Sequence, residues 1–296
     1  MDELNPPADE RNPYAFAPQG VDLSRPSVAR VYDYVLGGST NWAVDREVGD
    51  KVIAAVPLAR PIAQANRQFL VRVVRHLMRC GVRQFIDVGA GVPTMDHIHS
   101  VTDKVEPGAA RVVYVDHEPV AVAHSQLLLE EEGDQRRHVA LNGDLRAPER
   151  LWRQIAGTGV IDFTEPVALL MIAVLHIQQP DEHGHDIGEQ IVARYRTLLS
   201  PGSYLAISHA TDDGVPPKVA DALAELRAMY EQSVNPVIFR THREIAALFG
   251  DFELIDPGVT WAPSWHREEA GSQLLPDSFD HPNESFVCVG VGRKPA

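Results

Sequence analysis

"QFIDVGAGVPT", residues 84–94, is a short apolar segment carrying Asp87 near its end, followed by Gly89 and Gly91. A chain ends a buried strand and turns tightly against a ligand in this way. C-terminal to this stretch the pattern alternates. "RVVYVD", "RHVALN", "VALLMIAVL" and "SYLAISH" read as further strands, and "PVAVAHSQLLLEEE" and "DIGEQIVARYRTLL" between them carry helical period. Near-continuous apolar strands in strand-helix alternation predict an α/β fold with a parallel sheet covered by helices on both faces. After Thr211 two helical patterns, "PPKVADALAELRAMYEQ" and "THREIAALF", precede two closing strands, "FELIDPG" and "SFVCVGVGRK", which can pair antiparallel at one edge.

N-terminal to the first strand the period is helical throughout. In "SRPSVARVYDYVLGG" the apolar positions Val28, Val31, Tyr32, Val35 and Leu36 share one face, with Pro26 near the start and Gly37-Gly38 at the stop. A second helix is expected from about Ala43 to Val56, and a third from Pro61 to Cys80, closed by Gly81. Residues 1–20 contain Pro6, Pro7, Pro13 and Pro18 and read as a tail. The expected organisation is a tail over 1–20, a helical cap over 21–81 and a ligand-binding core over 82–296, in a single domain overall.

Composition narrows the partners. The 296-residue chain is 44% apolar and 23% charged, which is ordinary for a globular protein, and its net charge is −14. A field of that sign repels phosphate backbones and anionic lipid, and no Lys/Arg cluster offsets it, so neither nucleic acid nor membrane is an expected partner. No apolar run approaches the ~18 residues a spanning helix needs, and the N-terminus lacks the pattern of an export signal. Cys80 and Cys288 have no metal spacing and read as buried free thiols, which suits a reducing interior. The cytoplasm is therefore the expected compartment. Nothing in the pattern fixes an oligomeric state.

In an open α/β sheet, ligands sit outside the carboxyl ends of the strands. Three of those ends are acidic: Asp87, Asp116 and Asp144, spaced 29 and 28 residues apart, or about one strand-helix unit each. An Asp ending the second strand can accept two hydrogen bonds from a vicinal diol, which places an adenosine ribose at Asp116. A dinucleotide loop requires a third glycine, whereas Gly89-Ala90-Gly91 is followed by Val92-Pro93-Thr94. A carboxylate ahead of the glycines also repels a pyrophosphate and welcomes an ammonium group. S-adenosylmethionine (SAM), with its ribose, adenine, amino and carboxylate groups and no phosphate, fits this rim better. Its carboxylate could sit on the helix start after Gly91, and its adenine amino group against Asp144, with a neighbouring backbone N–H for a ring nitrogen. Each residue also has a plainer reading. Glycines at strand ends are common turn devices, and Asp116 and Asp144 could each cap the helix that follows.

"DVGAG", "YVDHEP" and "NGDLR" resemble the cofactor motifs of class I SAM-dependent methyltransferases. The stretch from "RPSVARVYDYVLGGSTNWAVDREV" through "ANRQFL", "VALLMIAVLHI" and "PGSYLAISH" to "DPGVTWAPSW" resembles an actinobacterial S-adenosyl methyltransferase family, formerly a domain of unknown function. The likeness covers roughly residues 21–268, and its most specific parts are "YDYxLGG" and "ANRxFL". It implies a Rossmann-like, seven-stranded, mostly parallel sheet with the last strands antiparallel, and a helical N-terminal cap over the cofactor. Ala90, "DHEP" and "HIQQPDEHGHD" depart from the commoner family residues. The cofactor set is then Asp87, Gly89, Ala90, Gly91, Asp116, His117, Asp144 and Leu145, joined from the cap by Tyr32, Gly38 and Asn41.

The implied reaction moves the sulfonium methyl to a small-molecule acceptor by in-line displacement. Alignment supplies most of the help, and a base is needed only for a hydroxyl or a protonated amine. No nucleophile motif is therefore expected, and neither G-x-S-x-G nor H-E-x-x-H is present. His176, just past the fourth strand, and His209, ending the fifth, are the candidate bases; each could equally be a polar residue satisfied by a neighbouring loop. His183, His185 and Asp186 have spacing that could hold a metal, but a solvated acidic loop accounts for them and no metal is expected. Trp261, Trp265 and His266 could line an aromatic acceptor pocket or pack a loop on the core. The alternative function is a SAM- or nucleoside-binding sensor without turnover; the missing third glycine disfavours an NAD-dependent oxidoreductase.

Overall fold

The computed structural model describes residues 24–92, 96–231, 236–273 and 278–296. The tail expected over 1–20, and Pro93 and Thr94 after the glycine loop, lie outside the described residues.

Five strands run parallel: β1 (Gln84–Val88), β2 (Arg111–Asp116), β3 (His138–Asn142), β4 (Ala168–Met171) and β5 (Tyr204–Ala210). A long β8 (Val287–Arg293) closes the sheet antiparallel to β5, and the order is β3-β2-β1-β4-β5-β8-β6. The winding reverses between β1 and β4, which opens a crevice at their carboxyl ends, where open α/β sheets bind ligands. The seventh position holds two short pieces rather than one strand. β6 (Glu253–Leu254) pairs with Arg293 and Gly292, and β7 (Thr260–Trp261) with Val289 and Cys288, on the same β8. Among the described residues eight strands thus replace the expected seven, because the Asp256-Pro257-Gly258 turn interrupts the edge and proline cannot continue a ladder.

Period-2 alternation divides β1 between two cores. Phe85 joins Phe69, Leu77 and Ile98 on one face, and Ile86 joins Leu151, Ile155 and Tyr195 on the other. The first face carries α3 (Ala59–Arg79), α4 (Ile98–Val105) and α5 (Pro119–Glu132); the second carries α6 (Pro148–Gly157) and α7 (Gly188–Leu198). Pro119 and Pro148 each open their helix, at the position where a missing N–H costs nothing. α1 (Val28–Leu36) and α2 (Ala43–Ala55) lie on α3, and their Val35, Leu36 and Ala55 belong to the same core cluster. α8 (Pro217–Glu231) adds Leu223 and Leu226 to it, and α9 (His242–Ala247) precedes the closing edge.

Two expectations need correction. "VALLMIAVL" is a four-residue strand and not a nine-residue one, because the chain leaves the sheet after Met171 and reaches a positive φ of 57° at Ala173. Cys80 is exposed, at the C-terminal cap of α3, whereas Cys288 is buried on β8 as expected.

Candidate active site

The glycine loop is pinned before any ligand is considered. Gly89 and Ala90 both donate their N–H to Val115 O of β2, at 2.9 and 3.0 Å. Gly89 has φ 77°, and a Cβ there would lie 2.7 Å from Val174 Cγ2, so the loop is pressed against the exit of β4. Gly91 has φ 67° and its Cβ position faces open space. Asp116 accepts from Gly91 N and from Glu118 N, each at 2.8 Å. A carboxylate offers about four lone-pair directions, so two remain for a diol. His117 beside it is largely exposed, with Nδ1 3.6 Å from Asp116 Oδ1.

Asp87 is 4% exposed, and burial pushes its carboxyl up to about 7, with Arg67 opposing the shift and Asp116 adding to it. Arg67, on α3, lines a narrow cavity of about 10 Å³ together with Asp87, Ala90, Gly91, His97 and Tyr114. Anion and cation partners for the two ends of an amino acid are therefore side by side. The sequence reading missed Arg67, although it lies inside the quoted "ANRQFL". The usable signal was that a ligand carboxylate next to Asp87 calls for a cation.

At the end of β3, Asp144 is held by Arg146 through Nη2 at 2.8 Å, Nε at 3.0 Å and the backbone N at 2.9 Å, which keeps its carboxyl below the usual range. An adenine amino group here would share the carboxylate with that guanidinium. The Leu145 side chain is buried and its carbonyl accepts from Tyr195 at 3.1 Å.

The helical side meets the loop through buried charge. Arg30, 1% exposed, donates to Asp45 at 2.8 Å and to Glu118 at 3.1 Å, so α1 is fastened to the turn that follows Asp116. Asp45 also accepts from Ser27 N and Trp42 N. Neither Arg30 nor Glu118 stood out in the sequence. Gly38 and Asn41 close the turn after α1 on itself: Gly38 N donates to Asp33 O, and Asn41 Nδ2 to Asp33 Oδ2 and Gly38 O, at 2.8–2.9 Å. Tyr32 points elsewhere, donating to Ala63 O at 3.2 Å and accepting from Asn66 Nδ2 at 3.1 Å.

Tyr32 and Asn66 line a second, larger cavity of about 150 Å³, walled by α1, α2, α3, α8 and the ends of β4 and β5. His176 reaches it. Its Nδ1 is buried with no hydrogen-bond partner among the described residues, and burial, then Arg240, lowers its pKa to about 4. Asn66 Oδ1 is likewise unpartnered. Ala173 lines the same space in its strained conformation, its N–H donating to Ser208 Oγ at 2.8 Å.

His209 is not brought to this cavity. It is 0% exposed, its Nδ1 donates to Ala210 O at 2.7 Å, and Nε2 accepts from Arg240 at 2.5 Å; burial lowers its pKa to about 3. Arg240 continues to Leu175 O at 3.0 Å and Asp186 at 2.7 Å, so Asp186 anchors a loop while His183 and His185 face solvent. Trp265 packs edge-on against Phe69 at 5.3 Å and Trp261 against His242 at 4.7 Å; neither lines the cavity.

The donor set suits SAM. Asp116 has free lone pairs for the ribose diol, Asp87 and Arg67 oppose an ammonium and a carboxylate, and Gly91 leaves space where a side chain would stand. A sheet wound in this order, with such a rim, defines a SAM-dependent methyltransferase. The chain belongs to the S-adenosyl methyltransferase family, whose model matches residues 15–295. It is similar to a Thermobifida fusca protein assigned to the methyltransferases, at 35% identity over 95% of this chain and 100% of that one, with a TM-score of 0.81. It is also similar to a DUF574 family protein from Streptomyces avermitilis, at 31% identity over 93% and 99% of the two chains, TM-score 0.79. No curated protein matches. SAM is its cofactor, and no described helix is long and apolar enough to cross a membrane.

Proposed function

We propose that the protein transfers the methyl group of SAM to a small-molecule acceptor, the cofactor's amino-acid end lying at the narrower cavity and the acceptor in the larger one. The observation that carries this reading is the pair Asn66 and Arg67: neighbours on α3, they line the larger and the narrower cavity respectively. Asp87, Gly89, Ala90, Gly91, Asp116, His117, Asp144 and Leu145 hold the cofactor along the rim, with Arg67 at its carboxylate. Gly38 and Asn41 shape the lid above it, and Tyr32 lies on the acceptor side. The protein's −14 charge supports a small acceptor over a polyanion and, with its free thiols, a cytoplasmic setting.

When bound, SAM supplies an activated sulfonium methyl: the acceptor atom bonds to that carbon as the carbon–sulfur bond breaks, the pair going to sulfur. His176 takes the acceptor's proton at Nδ1. Its low pKa keeps the imidazole neutral, and so able to accept, down to about pH 5, but makes it a weak base, so proton transfer accompanies bond formation and does not precede it. His209 and Arg240 hold the loop that aims it.

The test is S-adenosylhomocysteine release in a screen of metabolite acceptors, followed by His176→Ala. SAM affinity should stay within threefold while turnover falls ~10²-fold or more. With SAM saturating, so that the titration of Asp87 does not enter, the parent rate should be flat from pH 6 to 8. A break near 6.5, or unaltered turnover in the variant, would remove His176 from the mechanism.

A further inference from the structure

We propose that the larger cavity is the acceptor site and selects a neutral compound of one or two fused rings, apolar apart from one hydroxyl group held between Asn66 and His176; this assignment rests on the methyl-transfer reading above. Three features of the cavity support it.

Charge comes first. None of the described residues lining the cavity is Asp, Glu, Lys or Arg; the wall is built from Val31, Val35, Val56, Ile62, Leu226, Phe239 and similar side chains. A carboxylate, phosphate or ammonium brought here would lose its hydration and find no counter-charge. Arg240, whose charge reaches His176, is committed to Asp186, Leu175 O and His209, and Arg227, stacked on Phe239, is paired with Asp212.

The polar inventory is short. Tyr32 already donates to Ala63 O, and Ser208 Oγ already accepts from Ala173 N. Ser208 keeps its own proton, but the atoms left with no partner at all are Asn66 Oδ1, in a residue 4% exposed, and His176 Nδ1, both buried and unpartnered among the described residues. A buried polar atom without a partner is rare and costly. A sugar or polyol would bring more hydroxyls than this wall can pair. A hydrocarbon would leave both atoms unpaired.

A single hydroxyl, one donor and two lone pairs, satisfies both atoms. It can donate to Asn66 Oδ1 while accepting from Nδ1–H of the neutral imidazole. Turning the Asn66 amide over, with the Tyr32 hydroxyl swinging its proton from Ala63 O to the Asn66 oxygen, and moving the ring proton to Nε2 reverses both hydrogen bonds, and the hydroxyl proton then points at His176 Nδ1, the direction proton transfer requires. Size sets the rest of the molecule: the cavity measures about 150 Å³, an apolar cavity of roughly that volume takes up a benzene ring, and because this one is not closed a fused second ring can extend through its open side.

The test uses the full chain and first measures S-adenosylhomocysteine affinity. With that product saturating, 2-naphthol, naphthalene and 2-naphthoate are titrated in turn. 2-Naphthol should bind at least tenfold more tightly than either of the others. In Asn66→Leu the preference for 2-naphthol over naphthalene should vanish, with S-adenosylhomocysteine affinity within threefold of the parent. The ligand comparison on the parent chain needs no variant and stands if Asn66→Leu does not fold. Equal affinity for naphthoate or for naphthalene overturns the selection of a hydroxyl. Absence of naphthol binding in a chain that binds S-adenosylhomocysteine overturns the acceptor class and leaves methyl transfer intact. Absence of S-adenosylhomocysteine binding overturns the underlying reading itself, before any naphthalene derivative is added.

Discussion

Asp87 is a carboxyl group buried where its charge is unwelcome, and on the proposed reading the cofactor's ammonium relieves that cost. Its pKa of about 7 reflects burial first, with Arg67, Asp116 and Tyr114 as its charged or titratable neighbours. A ligand ammonium would stabilise the ionised form, so binding should release a proton. The sign follows: SAM affinity should rise as pH increases from 5.5 to 7, by up to about tenfold per unit, and level off above 7. Asp87→Asn should flatten that profile in calorimetry. Linkage gives a second readout. The folded pKa lies above the ordinary 3.8, so Asp87 favours the folded state below that value and its contribution is lost as pH rises towards 7. Asp87→Asn should therefore be more heat-stable than the parent at pH 8, by roughly 3–4 kcal/mol, and lose the advantage near pH 4. Asp116 is held by two backbone N–H groups. Asp116→Ala should cost roughly 2–4 kcal/mol of SAM affinity, through the lost diol and the loosened Gly91. An affinity within threefold of the parent, in a folded chain, would place the ribose elsewhere.

Among the elements, the tie from α1 to the turn after β2 joins the proposed lid to the proposed cofactor loop. Arg30 bonds Asp45 within the lid and Glu118 on the loop, so removing Glu118 leaves the lid's internal pair and cuts only the bridge. Glu118→Ala should weaken SAM by about 1–2 kcal/mol and quicken hydrogen exchange across residues 27–45. In the parent, exchange there should slow when SAM is added, since a closed lid excludes water; equal exchange with and without ligand would mark a static helix. This tie also shows what the sequence could reveal. The three rim acids were legible because strand ends are local signals that repeat at one-unit spacing, and the glycine loop because positive φ demands glycine. Arg30 with Glu118 was not: the partners are 88 residues apart, and a charge on an apolar helix face looks like a solvated one until its partner is in place. His209 was misleading for the opposite reason, since it ends a strand as the rim acids do, yet Arg240 arrives 31 residues later to occupy it. The split edge of β6 and β7 escaped because two-residue strands carry no periodicity.

The molecule as a whole is held by a core that does not stop at the edge of the sheet. Val35 and Leu36 of α1 and Val56 after α2 share one cluster with Phe69 of α3, Phe85 of β1, Leu170 of β4 and Val289 of β8. The lid residues are thus part of the same packing that stabilises the strands, and they also wall the larger cavity through Val35 and Val56. Such continuity predicts a single unfolding transition with no separate melting of the lid. Leu36→Ala should lower that one transition by about 2–5 kcal/mol of stability, because the cavity it leaves is shared with the sheet. S-adenosylhomocysteine at 100 times its dissociation constant for the parent should add about 2.7 kcal/mol, raising the midpoint by roughly 4–5 °C at this chain length. The coupling is then read by combining the two: in Leu36→Ala the product's stabilisation should shrink as well, since a loosened α1 holds Arg30 less firmly over Glu118. Calorimetry of parent and variant, with and without product, checks this directly. Two resolved transitions, with far-ultraviolet helix loss preceding loss of product binding, would show that the lid folds apart from the sheet and that the common core does not couple them.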